Sequence, residues 1–69
     1  MILEKLKRME GFTHQEQAVA RYILDHVEEI QQMSTEELAR VSYTSKATVV
    51  RLCKKLETTG YQELKLKLV

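Results

Sequence analysis

The sequence predicts an all-α fold, a compact bundle of about five helices, on three observations. Apolar residues recur at helical spacing through almost all of the 69 residues. There is no proline, and the only two glycines are Gly11 and Gly60, so few points interrupt a helix. Two Ser/Thr-x-x-Glu boxes, beginning at Thr13 and Ser34, each open such a stretch, their hydroxyl and carboxylate satisfying amide donors at the helix start.

The elements follow in order. Ile2, Leu3, Leu6 and Met9 mark a short first helix that Gly11 is expected to end. Thr13-His14-Gln15-Glu16 caps the second, in which Val19, Ala20, Ile23, Leu24 and Val27 form one buried stripe. Ile30 and Met33 belong to a short helical or irregular segment over 27–32 and just after it. Ser34-Thr35-Glu36-Glu37 opens a helix of about two turns carrying Leu38, Ala39 and Val41, with its acidic pair at the end the helix dipole makes positive. Ser42-Tyr43-Thr44 is a break, and Ser45 caps a helix running to about Leu56. After the turn Glu57-Thr58-Thr59-Gly60, residues 61–69 are ambiguous. Tyr61, Leu64 and Leu68 have helical spacing, whereas Leu64, Leu66 and Leu68 alternate with polar residues as a strand would. No partner strand is visible, so a helix is expected.

Length and composition exclude several functions. A chain this short makes one domain with a single small core, without room for a substrate cavity. No apolar run is long enough to cross a membrane, and Glu4, Lys5, Lys7 and Arg8 break any signal-like stretch at the start. The single cysteine, Cys53, precludes an internal disulfide and suits the cytoplasm. His14 and His26 lack the neighbours a metal site needs, Glu36–Glu37 is a helix-start pair, and no nucleophile–base pair or glycine-rich phosphate loop is present. No enzyme activity, cofactor or metal is therefore expected. Tyr22, Tyr43 and Tyr61 read mainly as packing residues, with Tyr43 also placed to touch a phosphate.

The net charge of +1 conceals a division. Residues 1–43 carry five basic and eight acidic groups, whereas residues 44–69 carry six basic groups against Glu57 and Glu63 alone. That polarity points to an anionic partner met by one element.

Residues 34–56 supply the element: a capped short helix, a three-residue break and a second capped helix, the pattern of a helix-turn-helix. At about 100° per residue, with Val49 at 0°, Leu52, Cys53 and Leu56 fall within about 60° of it and form a buried side. Ala47, Arg51 and Lys54 lie opposite, flanked by Val50, Lys55 and Thr48. A helix over about 45–56 with small, hydroxylated and basic residues outward suits the DNA major groove. Arg51 is the candidate for a guanine edge, Ser45, Lys46, Ala47 and Thr48 for the groove-facing tip, and Lys54 and Lys55 for phosphates. Ser34, Thr35 and Thr44 are candidates for phosphate contacts through hydroxyls or helix-start amides.

Residues 13–69 resemble the N-terminal DNA-binding domain of the RpiR family of bacterial transcriptional regulators. The resemblance rests on Val19–Leu24 (VARYIL), Ser34–Ala39 (STEELA), Thr44–Leu56 (TSKATVVRLCKKL) and Gly60–Lys65 (GYQELK), and it extends to the leading helix. It implies an all-helical domain that binds double-stranded operator DNA as a homodimer. It further implies that a phosphosugar effector acts only through a sugar-isomerase-type domain absent from these residues, in control of sugar metabolism genes. The sequence departs from the family pattern at Tyr43-Thr44, where a glycine and an aliphatic residue are usual. It also has Leu56-Glu57-Thr58 in place of Leu-Gly-Phe, and Leu52 in place of an aromatic. The alternative reading is a small helical module for protein–protein interaction or dimerisation, since fold does not determine function.

Overall fold

The computed structural model describes residues 1–69 and contains five α-helices and one short 3₁₀ turn, with no strand. The helices are α1 (Ile2–Arg8), α2 (His14–Asp25), α3 (Thr35–Val41), α4 (Lys46–Lys55) and α5 (Tyr61–Lys67), with the 3₁₀ turn at Glu29–Gln32 between α2 and α3. None is long and apolar enough to cross a membrane. The ambiguous C-terminal stretch is helical. Tyr61, Leu64 and Leu68 turn inward while Leu66 remains exposed.

Both capping boxes form. Thr13 accepts from the Glu16 amide at 3.2 Å while the Glu16 carboxylate accepts from the Thr13 amide at 2.9 Å. Ser34 and Glu37 repeat the exchange at 3.1 Å in each direction. Removing such a cap costs about 1 kcal/mol, a substantial fraction of the stability of a domain this small.

The core joins Leu6 of α1, Val19, Ala20 and Ile23 of α2, Ile30, Leu38 and Ala39, the inner side of α4, and Tyr61, Leu64 and Leu68. Helix α4 lies at its centre, packing against α2, α3 and α5, while α1 packs on α2. Leu6 is fully buried, and Ile2 and Met9 pack against the core, so the first helix covers its own domain and leaves Leu3 partly exposed. Tyr61 is buried, and its hydroxyl donates to the Ile30 carbonyl at 2.9 Å, tying α5 to the 3₁₀ turn. Burial raises the Cys53 thiol to about 11, as befits a small core residue.

The helix ends depart from expectation. Helix α1 stops before Gly11: Met9 takes a left-handed conformation (φ 55°) and its amide donates to the Lys5 carbonyl. Helices α3 and α4 end in the same two-bond motif, each without glycine at its left-handed position. At α3, Tyr43 (φ 59°) donates to Arg40 and Thr44 donates to Ala39 at 2.9 Å. At α4, Glu57 (φ 64°) donates to Lys54 at 2.9 Å and Thr58 donates to Cys53 at 3.1 Å. These are two of the positions where the chain departs from the RpiR pattern, and in both a side chain replaces glycine in a conformation that disfavours a Cβ. The Thr58 hydroxyl also donates to the Cys53 carbonyl at 2.7 Å, so a polar cap occupies the position where the family usually has a phenylalanine.

Tyr43 is also not a packing residue, because 93% of it is exposed and no core contact holds its ring. Tyr43→Gly should therefore relieve backbone strain without losing packing. We expect a gain of about 0.5–1 kcal/mol, a rise in Tm of about 2–8 °C by circular dichroism, whereas Tyr43→Ala, which keeps the Cβ, should change little.

Candidate nucleic-acid interface

The α3–α4 turn sets the site. The Ser42 hydroxyl donates to the Leu38 carbonyl at 2.6 Å, and the Thr44 hydroxyl lies 3.0 Å from Ser42 Oγ. Because the Ser42 proton is engaged by Leu38, Thr44 is the donor in that second contact. Its amide is engaged by Ala39. Thr44, expected to offer a group to phosphate, therefore has both donors committed to fixing the turn. Ser45 caps α4 by accepting from the Thr48 amide at 3.1 Å.

Helix α4 then presents Lys46, Ala47, Val50, Arg51 and Lys54 along one solvent-facing side, all of them exposed. They fall between about 60° and 200° on the helical wheel, opposite Val49 and Leu52. Lys54 is in no ion pair. Lys46 meets Glu36 of α3 at 3.2 Å, but both side chains are more than half exposed, so the pair is weak and a phosphate can displace it. A local backbone amide hydrogen bond and, after it, the contact with Lys46 hold the Glu36 carboxyl below its usual range. Thr35, the first residue of α3, is half-buried beside the exposed Ser34.

Two expected contacts are not on this side. Thr48 is 1% exposed, because the helices packed around α4 cover a wider arc than its own apolar residues mark out. Its hydroxyl lies 3.0 Å from Ser45 Oγ and accepts from Arg51 Nη2 at 3.2 Å. Lys55 turns back across α2. Its ammonium donates to Glu16 Oε1 at 2.6 Å and to the Gly11 carbonyl at 2.8 Å. Its charge is neutralised internally instead of facing an outside anion.

Glu16 is the residue that sequence reasoning missed. Read from the sequence, it is only the glutamate that closes a capping box; in the fold it is a carboxylate 1% exposed, beneath α4. Oε1 takes both Lys55 and the Thr13 amide. Oε2 has no hydrogen-bond partner, and Arg51 Nε stands 3.8 Å from it. Burial alone would raise its pKa, but the Lys55 hydrogen bond, the Thr13 amide and the charges of Lys55 and Arg51 together outweigh it and hold the carboxyl below 4.5.

A capped helix, a tight left-handed turn and a second helix with a cationic outer side define a helix-turn-helix domain of the kind found in transcriptional regulators. The chain belongs to the rpiR family of helix-turn-helix domains, which it matches over residues 1–69. It is 35% identical over 68 residues, 97% of its length, to a helix-turn-helix-type transcriptional regulator of Caldanaerobacter subterraneus subsp. tengcongensis, of which it covers 24%. It is 36% identical over 52 residues, 75% of its length, to the transcriptional regulator YbbH of Bacillus subtilis, of which it covers 18%. Among solved structures, the Vibrio vulnificus NanR protein complexed with ManNAc-6P superposes with a TM-score of 0.91 at 38% identity, over 99% of this chain and 26% of that one. The chain thus spans about a quarter or less of the length of these relatives.

The depressed pKa of Glu16 has a direction in pH. Its stabilising contribution is complete above the unfolded value near 4.5 and is lost as pH falls through the lower folded value. Glu16→Gln, which keeps a capping residue but removes the charge, should cost about 1.5–3 kcal/mol at pH 7 in urea unfolding. The gap to the parent should narrow between pH 7 and an acid pH at which the Glu16 carboxyl has taken up its proton, since both side chains are then neutral. The carboxylates Glu36, Glu57 and Glu63, also held low, are common to both proteins and cancel. An equal gap at both pH values would refute the assignment.

Proposed function

We propose that this chain reads operator DNA by laying α4 in the major groove, as the DNA-binding part of a transcriptional regulator. The observation that carries the proposal is the exposed side of α4, where Lys46, Arg51 and Lys54 surround Ala47 and Val50 while the opposite side is buried. The cations supply attraction to phosphate, and the two small apolar side chains suit thymine methyl groups. Arg51 is the base reader, with Ser45, Lys46 and Ala47 near the edge of the groove and Lys54 on the backbone. Thr35 and the exposed phenol of Tyr43 adjoin the phosphates from α3 and the turn.

Two copies on a near-palindromic site would bring two such helices about 34–36 Å apart, one turn of DNA, which is the arrangement proposed for the whole regulator. The likeness to a protein solved with ManNAc-6P supports regulation by a phosphosugar, acting outside these residues on genes of sugar metabolism.

The test is salt dependence. Binding to a fluorescent duplex should weaken with a log–log slope of about −3 per domain, the value for three displaced counterions. Lys54→Ala should weaken binding to all duplexes alike and lower the slope by about one, whereas Arg51→Ala should cost about 1–3 kcal/mol and relax sequence preference. Parental binding by both variants would place the docking surface elsewhere, and a salt-insensitive association would favour a protein partner.

A further inference from the structure

Arg51 has five N–H donors, and the fold occupies one edge of its guanidinium. Nη2 donates to the buried Thr48 hydroxyl at 3.2 Å, and Nε lies 3.8 Å from Glu16 Oε2, within ion-pair reach but beyond a hydrogen bond. Nε and Nη2 form the side edge of the planar group, so the end edge, with one N–H from each Nη, is left free. Those two parallel donors match the O6 and N7 acceptors of guanine. Meanwhile Glu16 Oε2 is a buried acceptor without a donor, a condition that costs free energy until a partner arrives. A movement of about 1 Å by Arg51 would bring it within hydrogen-bond distance.

We propose that Glu16 is a positioning residue for DNA reading, which from beneath α4 holds the side edge of Arg51 so that its end edge faces the groove. This rests on the major-groove reading of Arg51 given above. Lys55 has a complementary part. Bonded to Oε1, it fixes the carboxylate and cancels its charge, so that the buried anion does not offset the cationic side of α4. Thr48 completes the seat, itself held by the cap residue Ser45 at 3.0 Å. An arginine held in this way loses less side-chain freedom on binding than one free in solvent.

The test compares the parent, Arg51→Ala and Glu16→Gln in selection from a duplex library with a randomised centre at low salt. The parent should enrich a motif containing a guanine whose preference Arg51→Ala abolishes. Glu16→Gln should lose about three- to tenfold of the preference at that same base pair while holding the rest of the motif. Because it removes a negative charge, it should bind unselected duplexes at least as well as the parent. In the Arg51→Ala background, Glu16→Gln should have no further effect on preference.

A second readout needs no variant. In the parent, the Glu16 carboxyl carbon and the Arg51 Nε–H should shift together in NMR spectra when the selected duplex is added. Preference kept by Glu16→Gln but lost by Arg51→Ala, an even loss at every base pair, or a Glu16 carboxyl carbon unmoved by the duplex would overturn the positioning role alone. No enriched motif with the parent, or the parental motif selected by Arg51→Ala, would overturn the groove reading and this inference with it.

Discussion

The burial of one side of α4 against α2, α3 and α5 is the constraint from which the rest of the domain follows. A chain of this length makes only one core, and Val49, Leu52 and Cys53 at its centre are completely excluded from water. Because a helix repeats every 3.6 residues, burying those positions forces Ala47, Val50, Arg51 and Lys54 outward. The cationic surface is thus a consequence of packing: it moves only if the core moves. The same burial carries Lys55 and Thr48 toward α2, where one neutralises a buried carboxylate and the other becomes part of the seat for Arg51.

The helix ends hold this arrangement at a conformational cost. Two helices that meet at a steep angle need a sharp reversal, and here the reversal places Tyr43 at φ 59°. Backbone and side-chain bonds from Ser42, Tyr43 and Thr44 to the last turn of α3 hold it there. Glu57 repeats the conformation after α4, and its carboxylate meets Lys5 of α1 at 2.7 Å, a contact too exposed to offset much of the strain. Strain of this kind at Tyr43, with the phenol almost fully in solvent, has no return within the fold itself. It fits a side chain kept for an outside contact.

Much of the fold was legible because its signals are local. Both capping boxes connect residues three apart, and the apolar stripes of α2 and α4 need only helical periodicity. The ends of α1, α3 and α4 were less legible, since the left-handed positions are held by Met9, Tyr43 and Glu57 and no glycine marks them. At the site, the outward placement of Arg51, Lys54 and Ala47 could be read from a wheel drawn for α4 alone. The fates of Thr48 and Lys55 could not, because they depend on how far neighbouring helices wrap around α4. The Lys55–Glu16 contact joins residues 39 apart, and no periodicity connects them. A glutamate that already had a local role as a cap gave no sign of a second one.

The central claim, that the exposed side of α4 is the surface that meets DNA, is tested most directly by following backbone amide shifts of the labelled chain as a short mixed-sequence duplex is added at low salt. The account predicts shifts concentrated on residues 45–54, on the start of α3 and on Tyr43, reversing as salt is raised. Shifts confined to α1 and α5, or none at all at low salt, would contradict it.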